Sequence, residues 1–177
     1  MESTTPLYVS HIPSHLGRHL LTSSASKAPD GEISVSIYEH FMVEVSSKAK
    51  RYMAFDFDLK FGFSVSPLSV FFEKGAEKQV FGLKSENDLQ QWREILKGRL
   101  NQRGFHEQFK PKKKIGKGNF ASVYLAEKIE TGQNYAVKAF SKEAAYSEDK
   151  GKECLIKEIE IMRSLNHPNC MRLHEVF

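Results

Sequence analysis

Cysteine is scarce in this sequence: Cys154 and Cys170 are the two in 177 residues. No basic stretch followed by an apolar core lies between Met1 and Ser10, so no secretory signal is expected and both thiols are read as reduced rather than bridged. No apolar run approaches the roughly 18 residues that span a bilayer, and Glu2 stands where N-myristoylation needs glycine. These absences predict a cytosolic or nuclear compartment, with the cytoplasm expected and a membrane reached at its periphery if at all. Low-complexity tracts are also lacking, and a content of 40% hydrophobic and 27% charged residues is that of folded protein. A net charge of +4 is too mild to select a partner, and no nucleic acid is expected. A chain of this length holds one ordinary domain or two small ones.

What is present has two textures that meet near residue 104. In the first, Ile33, Val35 and Ile37, then Phe41, Val43 and Val45, share one parity, as half-buried strands require. Met53, Phe55, Phe57, Leu59, Phe61, Phe63 and Val65 continue the alternation for longer than a usual strand, which predicts a bend or a break at Gly62. Shorter strands are expected at 68–73 and 78–83, around a turn at Gly75. The period then changes. Ser85 can cap a helix with Asp88 three residues on, and Leu89, Trp92, Ile95, Leu96 and Leu100 recur at spacings of three and four. Gly104 is the expected left-handed stop. His11, His15 and His19 are four apart, but Pro13 and Gly17 oppose a helix, and no metal site is expected there.

Strands with one apolar face, closed by a single helix bearing a central Trp, resemble a pleckstrin-homology domain over residues 5–103, most distinctly where Val80-Phe81-Gly82-Leu83 runs into the helix of Trp92. The resemblance implies a bent β-barrel or sandwich capped by that helix. Many members bind phosphoinositides through basic side chains near the first strands; here these would be Arg18, Lys27, Lys48, Lys50 and Arg51, although isolated surface charges are more often merely solvated. Residues 104–114, with Lys110, Lys112, Lys113 and Lys114, read as a basic linker.

From Ile115 the chain reads Ile-Gly-Lys-Gly-Asn-Phe-Ala-Ser-Val-Tyr-Leu-Ala. Such a glycine pattern alone is weak, because dinucleotide folds use it to open a helix. The residues that follow, Ser122 to Ala126, are strand-like, so the loop is expected to join two strands. A strand then ends in Tyr135-Ala136-Val137-Lys138, an amphipathic helix capped by Ser147 is expected over 147–165 with Glu158 on it, and His167-Pro168-Asn169 terminates it ahead of a strand at 170–177.

Glycine loop, strand lysine, helix glutamate and His-Pro-Asn turn, in that order, resemble the ATP-binding N-lobe of a eukaryotic protein kinase over 115–177, with a serine/threonine flavour. The overall class implied is α+β. The resemblance assigns Lys138 and Glu158 to the catalytic ion pair, and Ile115, Gly116, Lys117, Gly118, Asn119, Phe120, Ala121, Val123, Ala136 and Lys138 to ATP, with Met162 and Leu173 as regulatory hydrophobic residues. ATP, Mg2+ and a protein substrate are the implied cofactors and partner. No His-Arg-Asp or Asp-Phe-Gly motif occurs in the sequence, so the metal ligands and general base of the family are missing and the lobe is expected to be truncated. Two readings follow: the front portion of a serine/threonine kinase with a regulatory domain, or a non-catalytic adaptor carrying a vestigial kinase lobe.

Overall fold

Alternating apolar residues produce a β-rich structure in the computed structural model of the chain, which describes residues 7–9, 14–118, 121–141, 143, 147 and 150–177. The chain divides into two units, Met1–Arg103 together with His174–Phe177, and Gly104–Leu173.

In the first unit the strands are β1 (His19–Lys27), β2 (Gly31–Tyr38), β3 (Phe41–Val45), β4 (Lys50–Ala54), β5 (Lys60–Val65), β6 (Leu68–Lys74) and β7 (Glu77–Gly82); helix α1 (Glu86–Lys97) and the short β8 (Asn101–Gln102) follow. They form one sheet in the order β4-β3-β2-β1-β7-β6-β5-β8. The expected barrel is not closed: among the described residues β4 and β8 are the two end strands of an open sheet. β1 and β7 meet at one register pair, Ser26 with Gly82, where a Cβ on Gly82 would lie 2.3 Å from Ser26 Oγ. Glycine is what allows the two halves of the sheet to join so closely.

A single apolar core unites Ile33, Val35, Ile37, Met42 and Met53 from the early strands with Phe61, Val70, Phe72 and Phe81 from the later ones. Helix α1 seals it with Leu89, Trp92 and Leu96. The Trp92 ring sits 6.1 Å from Phe81 and 6.4 Å from Phe72, and Trp92 is fully buried. Burying such a side chain contributes about 1.5–3 kcal/mol or more. Ser85 caps α1 as expected, accepting from the Asp88 N–H at 3.1 Å.

Three expectations for this unit are corrected. On β3 it is Met42 and Glu44, not Val45, that face inward: Val45 is exposed while Glu44 is buried. The tight connection through Glu39 and His40 sets Ile37 opposite Met42 and Val35 opposite Glu44, and directly opposed residues share a face. The long alternating run breaks at 55–59 rather than at Gly62, because Asp56 Oδ1 accepts from the N–H groups of Asp58 and Leu59 and so builds a turn. Helix α1 stops at Lys97; Gly104, at φ 84°, instead caps the next helix.

The second unit holds α2 (Phe105–Gln108), β9 (Phe109–Lys117), β10 (Ala121–Lys128), β11 (Asn134–Phe140) and α3 (Gly151–Ser164), with the sheet ordered β11-β10-β9. The expected linker at 104–114 is thus occupied by α2 and most of β9. Its lysines still face solvent, as an edge strand permits, and Lys112 forms an ion pair with Glu127 on β10. The hydrogen bond and charge of Lys112 hold the Glu127 carboxyl below its ordinary range. Phe109 anchors the unit, stacked on Phe105 at 5.5 Å and met edge-on by Tyr135 at 5.7 Å.

Helix α3 begins at Gly151, after Lys150 in a left-handed conformation at φ 60°, and is not capped by Ser147; Glu148 and Asp149 lie outside the described residues. Of its expected apolar stripe, Leu155, Ile156, Ile159 and Met162 are half-buried while Ile161 is exposed. No strand forms over 171–177. A strand needs a ladder, and the sheet of this unit runs only from β11 to β9 among the described residues.

Candidate functional site

The antiparallel register of the second sheet sets Lys138 opposite Val123 and Val123 opposite Gly116. The three residues therefore form one row across β11, β10 and β9, and directly opposed side chains point to one face. Leu125 opposite Ala136 and Ala121 opposite Phe140 flank that row. Ile115 falls at a register shift, between Gly116 opposite Val123 and Lys114 opposite Tyr124, so it is the extra residue of a bulge and stays half exposed. A glycine at position 116 leaves this end of the row low, because no Cβ stands on it; a Cβ there would touch Val123 at 3.4 Å.

The glycine loop does connect two antiparallel strands. Its turn is closed by the Gly118 N–H donating to the Ala121 carbonyl at 2.7 Å, and Lys117 pairs with Ser122. Asn119 and Phe120 lie outside the described residues. Two strands, not a strand and a helix, flank the loop, which separates it from a dinucleotide-binding turn.

Lys138 Nζ donates to Glu158 Oε1 at 2.6 Å, joining β11 to α3, and the same ammonium lies 4.7 Å from the centre of the Phe140 ring. Both side chains of the ion pair are a little under half exposed. Such an accessible pair contributes about 0–1 kcal/mol to stability, so its geometry serves orientation more than folding. Phe140 was not singled out from sequence; its shared parity with Lys138, two residues away on one strand, is the signal that would have found it. Ala136 is exposed, and Met162 and Leu173 are half-buried.

A fixed ammonium beside a strand row that narrows to glycine suits a phosphate chain, which wants a positive point charge and close backbone approach. The residues fit ATP in this sense. They do not fit a metal of their own: among the described residues no three His, Cys, Asp or Glu side chains converge.

The basic residues of the first unit are largely committed to carboxylates. Lys27 Nζ donates to Glu44 Oε2 at 2.6 Å, with both side chains buried, and to the Tyr8 hydroxyl at 2.5 Å. Tyr8 in turn donates to Glu44, and Arg51 binds Glu44 at 3.0 Å and Asp30 at 3.3 Å. Burial first, then the neighbouring Glu44 carboxylate, push the Tyr8 phenol well above its ordinary value. Arg18 pairs with Glu39, which leaves Lys48 and Lys50 exposed, the latter over the Tyr52 ring. Of the three spaced histidines, His11 lies outside the described residues, His15 lies 6.5 Å from the His40 ring, and His19 bonds Thr22 from β1. No described helix is long and apolar enough to cross a membrane.

Comparison with known proteins finds protein kinases. Residues 109–177 match the family described as "Protein kinase domain". Calcium-dependent protein kinase 4 of Plasmodium berghei (strain Anka) is 31% identical over 123 residues, covering 59% of this chain and 23% of that protein. Probable serine/threonine-protein kinase fhkC of Dictyostelium discoideum is 31% identical over 110 residues, 62% of this chain and 17% of the relative. Serine/threonine-protein kinase DCLK3 of Mus musculus reaches 48% identity over 64 residues, 36% of this chain and 8% of its own length. The chain thus spans less than a quarter of each relative. Residues 109–177 are thus similar to a protein kinase domain, and the proteins that resemble this chain include serine/threonine kinases.

Proposed function

We propose that residues 109–177 bind ATP as the nucleotide lobe of a serine/threonine protein kinase, with Lys138, oriented by Glu158, on the phosphates. The 2.6 Å bond between these two residues, twenty positions apart and on different elements, carries the reading. Gly116, Lys117 and Gly118, with Asn119, Phe120 and Ala121, form the loop over the phosphates, where backbone N–H groups and the absence of side chains on the glycines admit close approach. Ile115, Val123 and Ala136 offer apolar contact to the adenine. Mg2+ would neutralise charge on the phosphates when bound; the Asp-Phe-Gly motif that supplies its ligand in the family does not occur in this sequence, so the proposed contribution of this chain is to hold and orient nucleotide. Transfer to a protein substrate is proposed for a kinase to which this chain contributes the nucleotide-binding segment.

The first unit is proposed to be a pleckstrin-homology-like domain that regulates or localises that kinase in the cytoplasm. Its strand order and the helix placed after β7 with Trp92 in the core support this. An anionic phosphoinositide surface would have to be met by Lys48 and Lys50, since Lys27 and Arg51 are held by Glu44. The nucleotide reading is tested by titrating the 177-residue chain with ATP and following the amide signals of Gly116 and Gly118. Saturable shifts, weakened at least about tenfold by Lys138→Met because one charge-assisted contact is lost, are expected. Identical titrations for the two proteins would remove Lys138 from the site.

A further inference from the structure

The open sheet of the first unit ends on β8, and that edge is taken by residues far away in sequence. Asn101 and Gln102 pair in parallel with Lys60 and Phe61 of β5, and the Arg103 N–H continues the ladder by donating to the Phe61 carbonyl at 2.7 Å. Successive N–H groups of an extended chain point to opposite sides. The Gln102 N–H therefore points away from β5, and there it donates to the Val176 carbonyl at 2.7 Å. The Gln102 side chain makes a second contact with the same segment, Nε2 donating to Glu175 Oε2 at 2.8 Å. Asn101, by contrast, turns its amide inward onto the Phe57 carbonyl at 2.8 Å.

We infer that the outer edge of β8 is a docking edge for an extended peptide bearing an acidic residue, occupied by the chain's own Glu175-Val176. Three observations converge. Residues 174–177, which close the kinase-domain match, cluster with the first unit and not with the second. Gln102 is 2% exposed, among the largest fully buried side chains, and a buried amide requires a partner; Glu175 provides it for the donor. The contact combines a backbone hydrogen bond with a side-chain bond to a carboxylate, the two components by which sheet edges capture extended segments. Such capture also covers N–H and C=O groups that would otherwise invite pairing with another chain. The inference is independent of nucleotide binding, because none of its residues lies at Lys138 or the glycine loop.

Amide hydrogen exchange in the intact 177-residue chain tests it. The Gln102 amide is expected to exchange slowly, alongside the Arg103 amide, which reports the ladder to β5 and serves as internal control. Glu175→Ala should accelerate exchange at Gln102 by about tenfold, the scale of one charge-assisted hydrogen bond, and leave Arg103 unchanged. Glu175→Gln, which keeps an acceptor oxygen, should retain most of the protection. A Gln102 amide that exchanges freely while Arg103 is protected would overturn the inference. So would equal acceleration at both amides, or a Glu175→Gln variant indistinguishable from Glu175→Ala.

Discussion

Glu44 and Glu158 each accept from a lysine Nζ at 2.6 Å, yet their surroundings give the two pairs different work. Glu44 and Lys27 are both almost wholly buried, so neither charge can be resolvated if the other is removed. Glu44→Ala would leave the buried Lys27 ammonium with only the Tyr8 hydroxyl, while Arg51 keeps Asp30; breaking a buried pair in this way costs about 3–5 kcal/mol. Denaturant unfolding of the variant should show a loss on that scale, and wild-type stability would mean that the network is not closed in solution. Lys138 and Glu158 are nearly half exposed, and for them the expectation reverses. Lys138→Met should change the unfolding free energy by no more than about 1 kcal/mol, while nucleotide binding weakens at least about tenfold. A large drop in stability would make this ion pair structural.

At the scale of elements, helix α1 was legible because its signals are local. Ser85 caps it, Asp88 completes the reciprocal contact by accepting from the Ser85 hydroxyl, and the spacing of Leu89, Trp92 and Leu96 names the buried face. Ser85→Ala is expected to lower the stability of the first unit by about 1 kcal/mol, read from thermal unfolding followed at Trp92 fluorescence. An unchanged transition would show that core packing alone fixes the helix start. What was not legible depends on partners distant in sequence. The inward face of β3 follows from its register against β2, and Val45 and Glu44 exchange places relative to the parity pattern for that reason. The lysine-rich stretch reads as linker until β10 pairs with it. Gly62 looked like a strand break, yet it is buried on β5, where a Cβ would meet the Phe71 ring at 2.2 Å; it makes room for an aromatic across the ladder.

At the scale of the whole molecule, Gly116, Val123, Ala136 and Lys138, all proposed for nucleotide binding, share one sheet face, and Glu158 reaches Lys138 from a helix. The bond of Lys138 to Glu158 was implied by the resemblance; the row Gly116–Val123–Lys138 and the failure of 171–177 to form a strand were not legible, since register and ladder depend on which neighbour is at hand. The sequence contains no His-Arg-Asp and no Asp-Phe-Gly, the motifs that supply the general base and the main metal ligand in the family. Orientation by Lys138 alone lowers the barrier little, because electrostatic stabilisation of the transferring group needs several donors fixed around it. The 177-residue chain, incubated with labelled ATP, Mg2+ and a generic protein substrate, is therefore expected to transfer no phosphate above a Lys138→Met control. Reproducible transfer that Lys138→Met abolishes would require a general base among these 177 residues and would displace the division of labour argued from the sheet.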